Sequence, residues 1–352
     1  MQVLTAIYEG SGNVRAGILR RGLPLSASPR LRWKVRFRVR GTLFLLVSSL
    51  TAYSQIVPAA GVGGSEFIAP ATTITKAVDE VNLAFTVTDK RGRFISNLNP
   101  NDFRLLDDHQ APQRLTFFQQ RSDLPLHLAL LIDSSASVEY RFRFEIDAAA
   151  AFLKGILRPG KDQALIIAFN DQAKTLVQPT DRAERLNAAL KKIQPRGDTA
   201  LHDAVIYACE QLRRLPENQI TRRAIVLISD GVDTVRRSTL QQSEQAVARA
   251  QVMLFSLSTN LSAADANASG DLVLRELAAS TGGALMGAHD QNRLSSALRS
   301  VQKALRSQYV LAYNPAGFIA DGSYRQIELN VIKPGLHTNC RRGYYAKIAD
   351  QP

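Results

Sequence analysis

Residues 126–137 read LHLALLIDSSAS, and this stretch decides the fold. Residues 126–132 form an almost unbroken apolar run of strand length, which stops on four oxygen-bearing side chains, Asp133, Ser134, Ser135 and Ser137. A strand that is apolar at nearly every position is buried on both faces, as happens in a parallel sheet with helices on either side. Similar runs recur at 164–169, 224–228 and 252–257, with a shorter one at 284–286. Between them, apolar spacings of three and four predict helices at 139–157, 183–193, 201–214, 240–250, 272–280 and 293–307. Thr281-Gly282-Gly283 is a helix stop. Residues 173–177, after a turn at Asn170-Asp171, read as an antiparallel edge strand hairpinned onto 164–169.

The flanks have a different rhythm. Short strand-like segments at 82–88, 103–106 and 114–118 are divided by Asp89-Lys90-Arg91-Gly92 and by 97–101. After the helices, strand character returns at 309–313, 324–331 and 342–346, broken by 315–322 and by Lys333-Pro334-Gly335. The expected architecture is α/β: a doubly wound, mostly parallel, Rossmann-like sheet over 124–307. A smaller all-β region is expected where 71–121 pairs with 308–348.

The 352 residues carry a net charge of +13, which could suggest nucleic acid. The first 54 residues, however, hold nine Lys and Arg against one acid, Glu9, so +5 remains for the rest. That excess is scattered without interleaved aromatics, which argues against nucleic-acid binding. In the leader, the basic run 30–40 precedes the apolar TLFLLVSSL (42–50) and then Ala52-Tyr53-Ser54. This is the order of an export signal cleaved near Ser54. The apolar stretch falls well short of the roughly 20 residues that span a bilayer, so no stable membrane span is expected. Residues 55–70, with PAAGVGG at 58–64, read as a spacer. The chain has two cysteines, Cys209 and Cys340, and no Cys/His cluster, which excludes structural zinc and iron–sulfur centres. Cys209, inside an apolar helical stretch, reads as a small buried hydrophobe rather than half of a bridge.

The chemistry lies at strand ends. In an open α/β sheet, ligands bind beyond the carboxyl ends of the strands. Asp133-Ser134-Ser135-Ala136-Ser137 sits at one such end. Ser229-Asp230-Gly231 sits at another, and Gly197-Asp198-Thr199 opens a helix beside them. Carboxylates and hydroxyls form an all-oxygen donor set, suited to Mg2+, with Mn2+ or Ca2+ also accommodated, and unsuited to zinc or copper. Alone, Asp-x-Ser-x-Ser is also a helix N-cap pattern, and only the three loops together point to a cation.

Residues 126–300 resemble a von Willebrand factor A domain. Asp133, Ser135, Ser137, Thr199 and Asp230 match its metal-ion-dependent adhesion site. The resemblance implies that Ser135 and Ser137 ligate the ion through hydroxyls and that Asp133 and Asp230 act directly or through water. It further implies that Thr199 binds directly when a ligand is engaged, and that the open coordination position takes a carboxylate from a partner protein. The flanking segments VTDKRG (87–92), NDF (101–103) with Asp107-Asp108, and RRGYY (341–345) resemble those of acidobacterial-type proteins carrying this domain.

The expected function is an exported, metal-dependent protein-binding module and not an enzyme. The alternatives are a metal-using hydrolase or chelatase-like accessory subunit, or a structural envelope protein. For the hydrolase, His202 and Asp203 would be an acid–base pair with Ser135 as nucleophile, but neighbouring helix residues face different ways and no Gly-x-Ser-x-Gly elbow accompanies them. Asp233 reads as a turn residue. The aromatics Phe142, Phe144, Phe152, Tyr309, Tyr313, Tyr344 and Tyr345 read as packing.

Overall fold

The computed structural model describes residues 80–120, 123–140, 142–216, 220–260 and 269–347. The expected export signal and the spacer at 55–70 lie outside the described residues.

In chain order the elements are β1 (Val81–Asp89), β2 (Phe103–Asp107), β3 (Arg114–Gln120), β4 (Leu126–Asp133), α1 (Phe142–Ile156), β5 (Gln163–Phe169), β6 (Ala173–Thr180), α2 (Ala183–Leu190) and α3 (Leu201–Arg213). There follow β7 (Arg222–Ser229), α4 (Leu240–Ala250), β8 (Met253–Ser258), α5 (Ser269–Ser280), β9 (Leu285–Gly287), α6 (Gln291–Arg306), β10 (Tyr309–Asn314), β11 (Tyr324–Val331), β12 (Leu336–Cys340) and β13 (Gly343–Tyr345).

Strand β4 lies inside a six-stranded sheet of order β6-β5-β4-β7-β8-β9, and all eight of its residues are buried. Its even positions, Leu126, Leu128, Leu130 and Ile132, pack with Phe152 and Leu153 of α1 and Leu298 and Val301 of α6. Ala129 and Leu131 face Leu201, Val205 and Ala208 of α3, and Leu274 of α5. Burial on both faces is why the strand reads as a continuous apolar run. Strands β5, β7, β8 and β9 join the sheet in parallel, and β6 closes one edge antiparallel to β5, as the turn at Asn170 predicts.

The chain crosses from β3 into this layer and returns at β10. The flanks build a second, antiparallel unit of two sheets, β12-β1-β10-β3 and β13-β11-β2. β10 lies between β1 and β3, with Phe85 opposite Tyr309 and Phe118 opposite Leu311. Between the sheets, Phe85, Phe103, Phe118 and Tyr309 form one aromatic cluster with ring centroids 5.2–6.4 Å apart, Phe85 and Tyr309 being stacked at 5.4 Å. Tyr309 and Tyr313 are fully buried, so these aromatics are packing, as their spacing predicts.

β12 is absent from the sequence reading. LHTNC offers a single large apolar residue, and its strand character comes from pairing with β1, where Cys340 faces Phe85 and Leu336 faces Asp89. A partner 250 residues earlier leaves no local signal. Cys209 is buried and Cys340 partly so, and both are free thiols.

At the end of the parallel sheet where its strands begin, arginines close free carbonyls of two helix C-termini and of the segment that leads into β4. Arg222 donates to the carbonyls of Leu305 and, at 2.6 Å, Leu124; Arg306 donates to that of Ile156. Arg158 pairs with buried Asp162 at 2.7 Å, and Asp162 also accepts from the Leu126 amide at 3.0 Å, which fixes the entry of β4.

Candidate functional site

Three loops meet at the other end of the sheet, beyond the carboxyl ends of β4 and β7. The loop after β4 is bound to β5 by Ser134, whose amide and hydroxyl both donate to the Phe169 carbonyl, at 2.8 and 3.0 Å. The loop before α3 lies alongside it: Ala136 N–H donates to the Gly197 carbonyl (3.1 Å) and Arg196 N–H to that of Ser134 (2.8 Å). The loop after β7 completes the set. Thr199 N–H donates to Thr234 Oγ1 (2.8 Å), and the Thr199 carbonyl accepts from the amides of Thr234 and Val235 at 2.9 and 3.2 Å.

Within this frame the side chains converge. Asp133 is fully buried; its Oδ1 accepts from the Ser135 amide at 3.0 Å and its Oδ2 from the Ser229 hydroxyl at 2.8 Å. Ser135 Oγ lies 3.0 Å from Ser137 Oγ, and Ser137 Oγ donates to Asp230 Oδ2 at 3.4 Å. Asp230 Oδ1 accepts from the Val232 amide at 3.0 Å. The fifth expected residue, Thr199, is buried, and its backbone bonds to Thr234 and Val235 rather than to the other four. Asp133, Ser135, Ser137 and Asp230 are linked by hydrogen bonds, and the loop that carries Thr199 lies against theirs.

Burial pushes the Asp133 carboxyl up to about 6, and the charge of Asp230 adds to the rise; the hydrogen bonds from Ser135 and Ser229 offset only part. A desolvated carboxylate next to a second carboxylate, ringed by hydroxyls, is a donor set short of positive charge, and it fits a hard divalent cation. Among the described residues, no three of His, Cys, Asp and Glu come together as a metal cluster. The donors here are mostly hydroxyls.

Several supporting residues escape the sequence reading. Ser229 holds both Asp133 and, at 3.0 Å, the Gly231 amide. Asn260 Nδ2 donates to the Asp230 carbonyl (3.0 Å) and to Asp271 Oδ1 (2.6 Å), tying β8 and α5 to the site. Their separation in sequence hides them. Asp233, which the sequence reads as a turn residue, accepts from the Leu201 amide at 2.9 Å, so it caps α3 and holds the Thr199 loop. His202 and Asp203 point elsewhere: His202 Nδ1 is 3.1 Å from Ser243 Oγ on α4, while Asp203 accepts from Ser238 and Arg237.

Gly231 is the tightest point of the site. Its φ is +81°, and a Cβ built on it lies 2.3 Å from the Gly270 carbonyl oxygen. Gly231→Ala is expected to cost about 1–3 kcal/mol of stability, measured by urea unfolding, because both the backbone conformation and the space exclude a side chain. A neutral result would mean that the loop relaxes freely.

The family model described as the von Willebrand factor type A domain matches residues 128–232, which contain all five expected site residues. No curated protein matches the chain. Solved structures to which the chain is similar include the PilB minor pilin from Streptococcus sanguinis, 14% identical with a TM-score of 0.41, over 54% of this chain and 62% of that one. The matched region thus spans less than two thirds of that pilin. Others are the conserved hypothetical protein BatB from Bacteroides thetaiotaomicron (17%, TM-score 0.41, 52% of this chain and 100% of that one) and a von Willebrand factor type A protein from Catenulispora acidiphila (12%, TM-score 0.43, 76% and 74%). The family match covers the strand-and-loop segment that builds the sheet centre and its polar end, and it agrees with the topology found there. Residues 128–232 of the chain thus match the von Willebrand factor type A domain.

Proposed function

We propose that the chain is an exported, cation-dependent protein-binding module in which Asp133, Ser135, Ser137, Thr199 and Asp230 hold one Mg2+, or Mn2+ or Ca2+ in its place. The observation that carries this reading is the convergence of buried Asp133, Asp230 and three hydroxyl residues from three loops on one sheet end. Hydroxyl donors leave a divalent ion under-neutralised, and the ion supplies an open position for a carboxylate of a partner protein. The surroundings add a chemical preference. Tyr140, Val232 and Leu272 are exposed large apolar residues on the same loops and on the adjoining start of α5. An acidic residue flanked by apolar side chains matches that face.

The placement of His202 and Asp203 away from Ser135 favours binding over hydrolysis, since neither then serves that serine as a general base. Among the described residues, no helix is long and apolar enough to cross a membrane.

The test is calorimetric titration of Mg2+ and Mn2+ into chelator-treated protein, wild type beside Asp133→Ala. Saturable binding in the wild type and none in the variant is the expected result. A folded wild-type protein that binds neither ion would overturn the cation-dependent reading.

A further inference from the structure

At the end of the parallel sheet opposite Asp133, the antiparallel unit and the α/β layer enclose a cleft with a cationic lining. Its inner compartment, about 80 Å3, includes Asn82, Arg222, Gln308 and Arg341 in its wall. It shares Asn82, Thr221, Arg223 and Gln251 with an outer cleft of about 350 Å3 that Lys347 also lines.

Two guanidiniums are buried here, Arg222 at 4% exposure and Arg341 at 8%. Arg341 donates to the Asn82 carbonyl at 2.8 Å and to Gln251 Oε1 at 3.3 Å, and its guanidinium lies 5.8 Å from the centre of the Tyr344 ring. Arg222 spends its two terminal nitrogens on the Leu124 and Leu305 carbonyls. The Nε–H of each is buried with no acceptor. No Asp or Glu lines the inner compartment among the described residues. Asp162, near Arg222, is already engaged by Arg158 and Arg306. The outer cleft has one acid, Glu80, which accepts from the Thr116 hydroxyl. Burial lowers the proton affinity of both arginines, with Arg306 and Arg158 adding repulsion at Arg222.

Two amides complete the wall. The side-chain oxygens of Asn82 and Gln308 are buried without a donor, while Gln308 Nε2 meets the Met253 sulfur at 3.2 Å, a weak acceptor. The two ends of an amide have the same shape, so a half-turn of each brings its N–H2 to the cavity for the loss of one weak contact. The wall then presents donors, two of them on fixed positive charges.

We propose that this cleft is a binding site for a small oxyanion of the phosphate type, held between Arg222 and Arg341 with the Asn82 and Gln308 amides turned toward it. The oxyanion supplies the acceptors that both Nε–H groups lack, and it also supplies negative charge, which a filling of water does not. Arg222 begins β7 and Arg341 precedes β13, so an occupied site ties the two units together.

The test is thermal unfolding of the full chain in chelator, which keeps the Asp133 loops free of divalent ions, at fixed ionic strength with chloride replaced stepwise by inorganic phosphate. The expected result is a saturable rise in unfolding temperature, with one phosphate bound per chain by calorimetry. Arg341→Gln is expected to weaken the apparent affinity about tenfold or more. Gln308→Glu puts a carboxylate of the chain's own into the cavity and is expected to abolish the phosphate response in a folded protein, which decides the matter even if Arg341→Gln does not fold. Arg342→Gln, at an exposed residue paired with Glu276, keeps the wild-type response. No saturable phosphate effect, as a water-filled cavity predicts, overturns the proposal. A full response surviving in Gln308→Glu overturns it too.

Discussion

Asp133→Asn is expected to raise the unfolding temperature of the metal-free protein at pH 7.5 while removing its response to Mg2+. The carboxyl of Asp133 is fully buried and is pushed up to about 6 from an ordinary value of 3.8. Its folded-state value lies above its unfolded one, so the folded protein binds the proton more tightly. The stabilisation from this group is complete below about pH 4 and is lost as pH rises through about 6. Above that range the ionised carboxylate sits desolvated next to Asp230, a penalty on the order of 3 kcal/mol. Asparagine removes the charge and keeps an acceptor for the Ser135 amide, and its N–H2 can donate to the Ser229 hydroxyl, which accepts as readily as it donates. The difference in unfolding temperature between variant and wild type is expected to grow from pH 4 to pH 7.5 in chelator. It should reverse in saturating Mg2+, where only the wild type is stabilised. A variant less stable than the wild type at pH 7.5 in chelator would show that Asp133 is a satisfied structural carboxylate.

The second large effect belongs to the antiparallel unit. Asp107 is fully buried, and its two oxygens accept from Arg325 Nε at 2.6 Å, the Tyr313 hydroxyl at 2.6 Å and the Tyr344 hydroxyl at 2.9 Å. The four residues come from β2, β10, β11 and β13, so this one carboxylate joins both sheets. Burial and the adjacent Asp107 charge both raise the proton affinity of Tyr313 and Tyr344, so the phenols remain donors throughout the neutral range. Asp107→Ala leaves a buried guanidinium and two buried hydroxyls without their acceptor, and it is expected to cost about 3–5 kcal/mol in urea unfolding. Asp107→Asn, which keeps one acceptor oxygen, should cost less. A loss under about 1 kcal/mol for the alanine variant would mean that water replaces the carboxylate.

Much of the α/β layer was legible in the chain because its determinants are local. β4, β5, β7 and β8 are buried on both faces, so each reads as an apolar run, and the helices between them carry their own spacing. The polar ends of β4 and β7 were legible for a related reason: Asp133, Ser135, Ser137 and Asp230 interrupt or follow apolar strands at the point where the fold class predicts a ligand. The antiparallel unit was legible in outline, through alternating segments and turn residues. The edge strand β12 was not, because its five residues are half exposed and gain strand geometry only from β1.

The sequence by itself determined the class of fold, the strand that centres it and the polar strand ends that make up the candidate site, since each depends on burial pattern or on position along one segment. Tertiary structure alone decided which groups support them. Ser229 beneath Asp133, Asn260 behind Asp230, Asp233 capping α3 and the two buried arginines of the seam act across gaps of tens to hundreds of residues. Hydrogen bonds and desolvation depend on distance in space, and neither leaves a pattern along the chain.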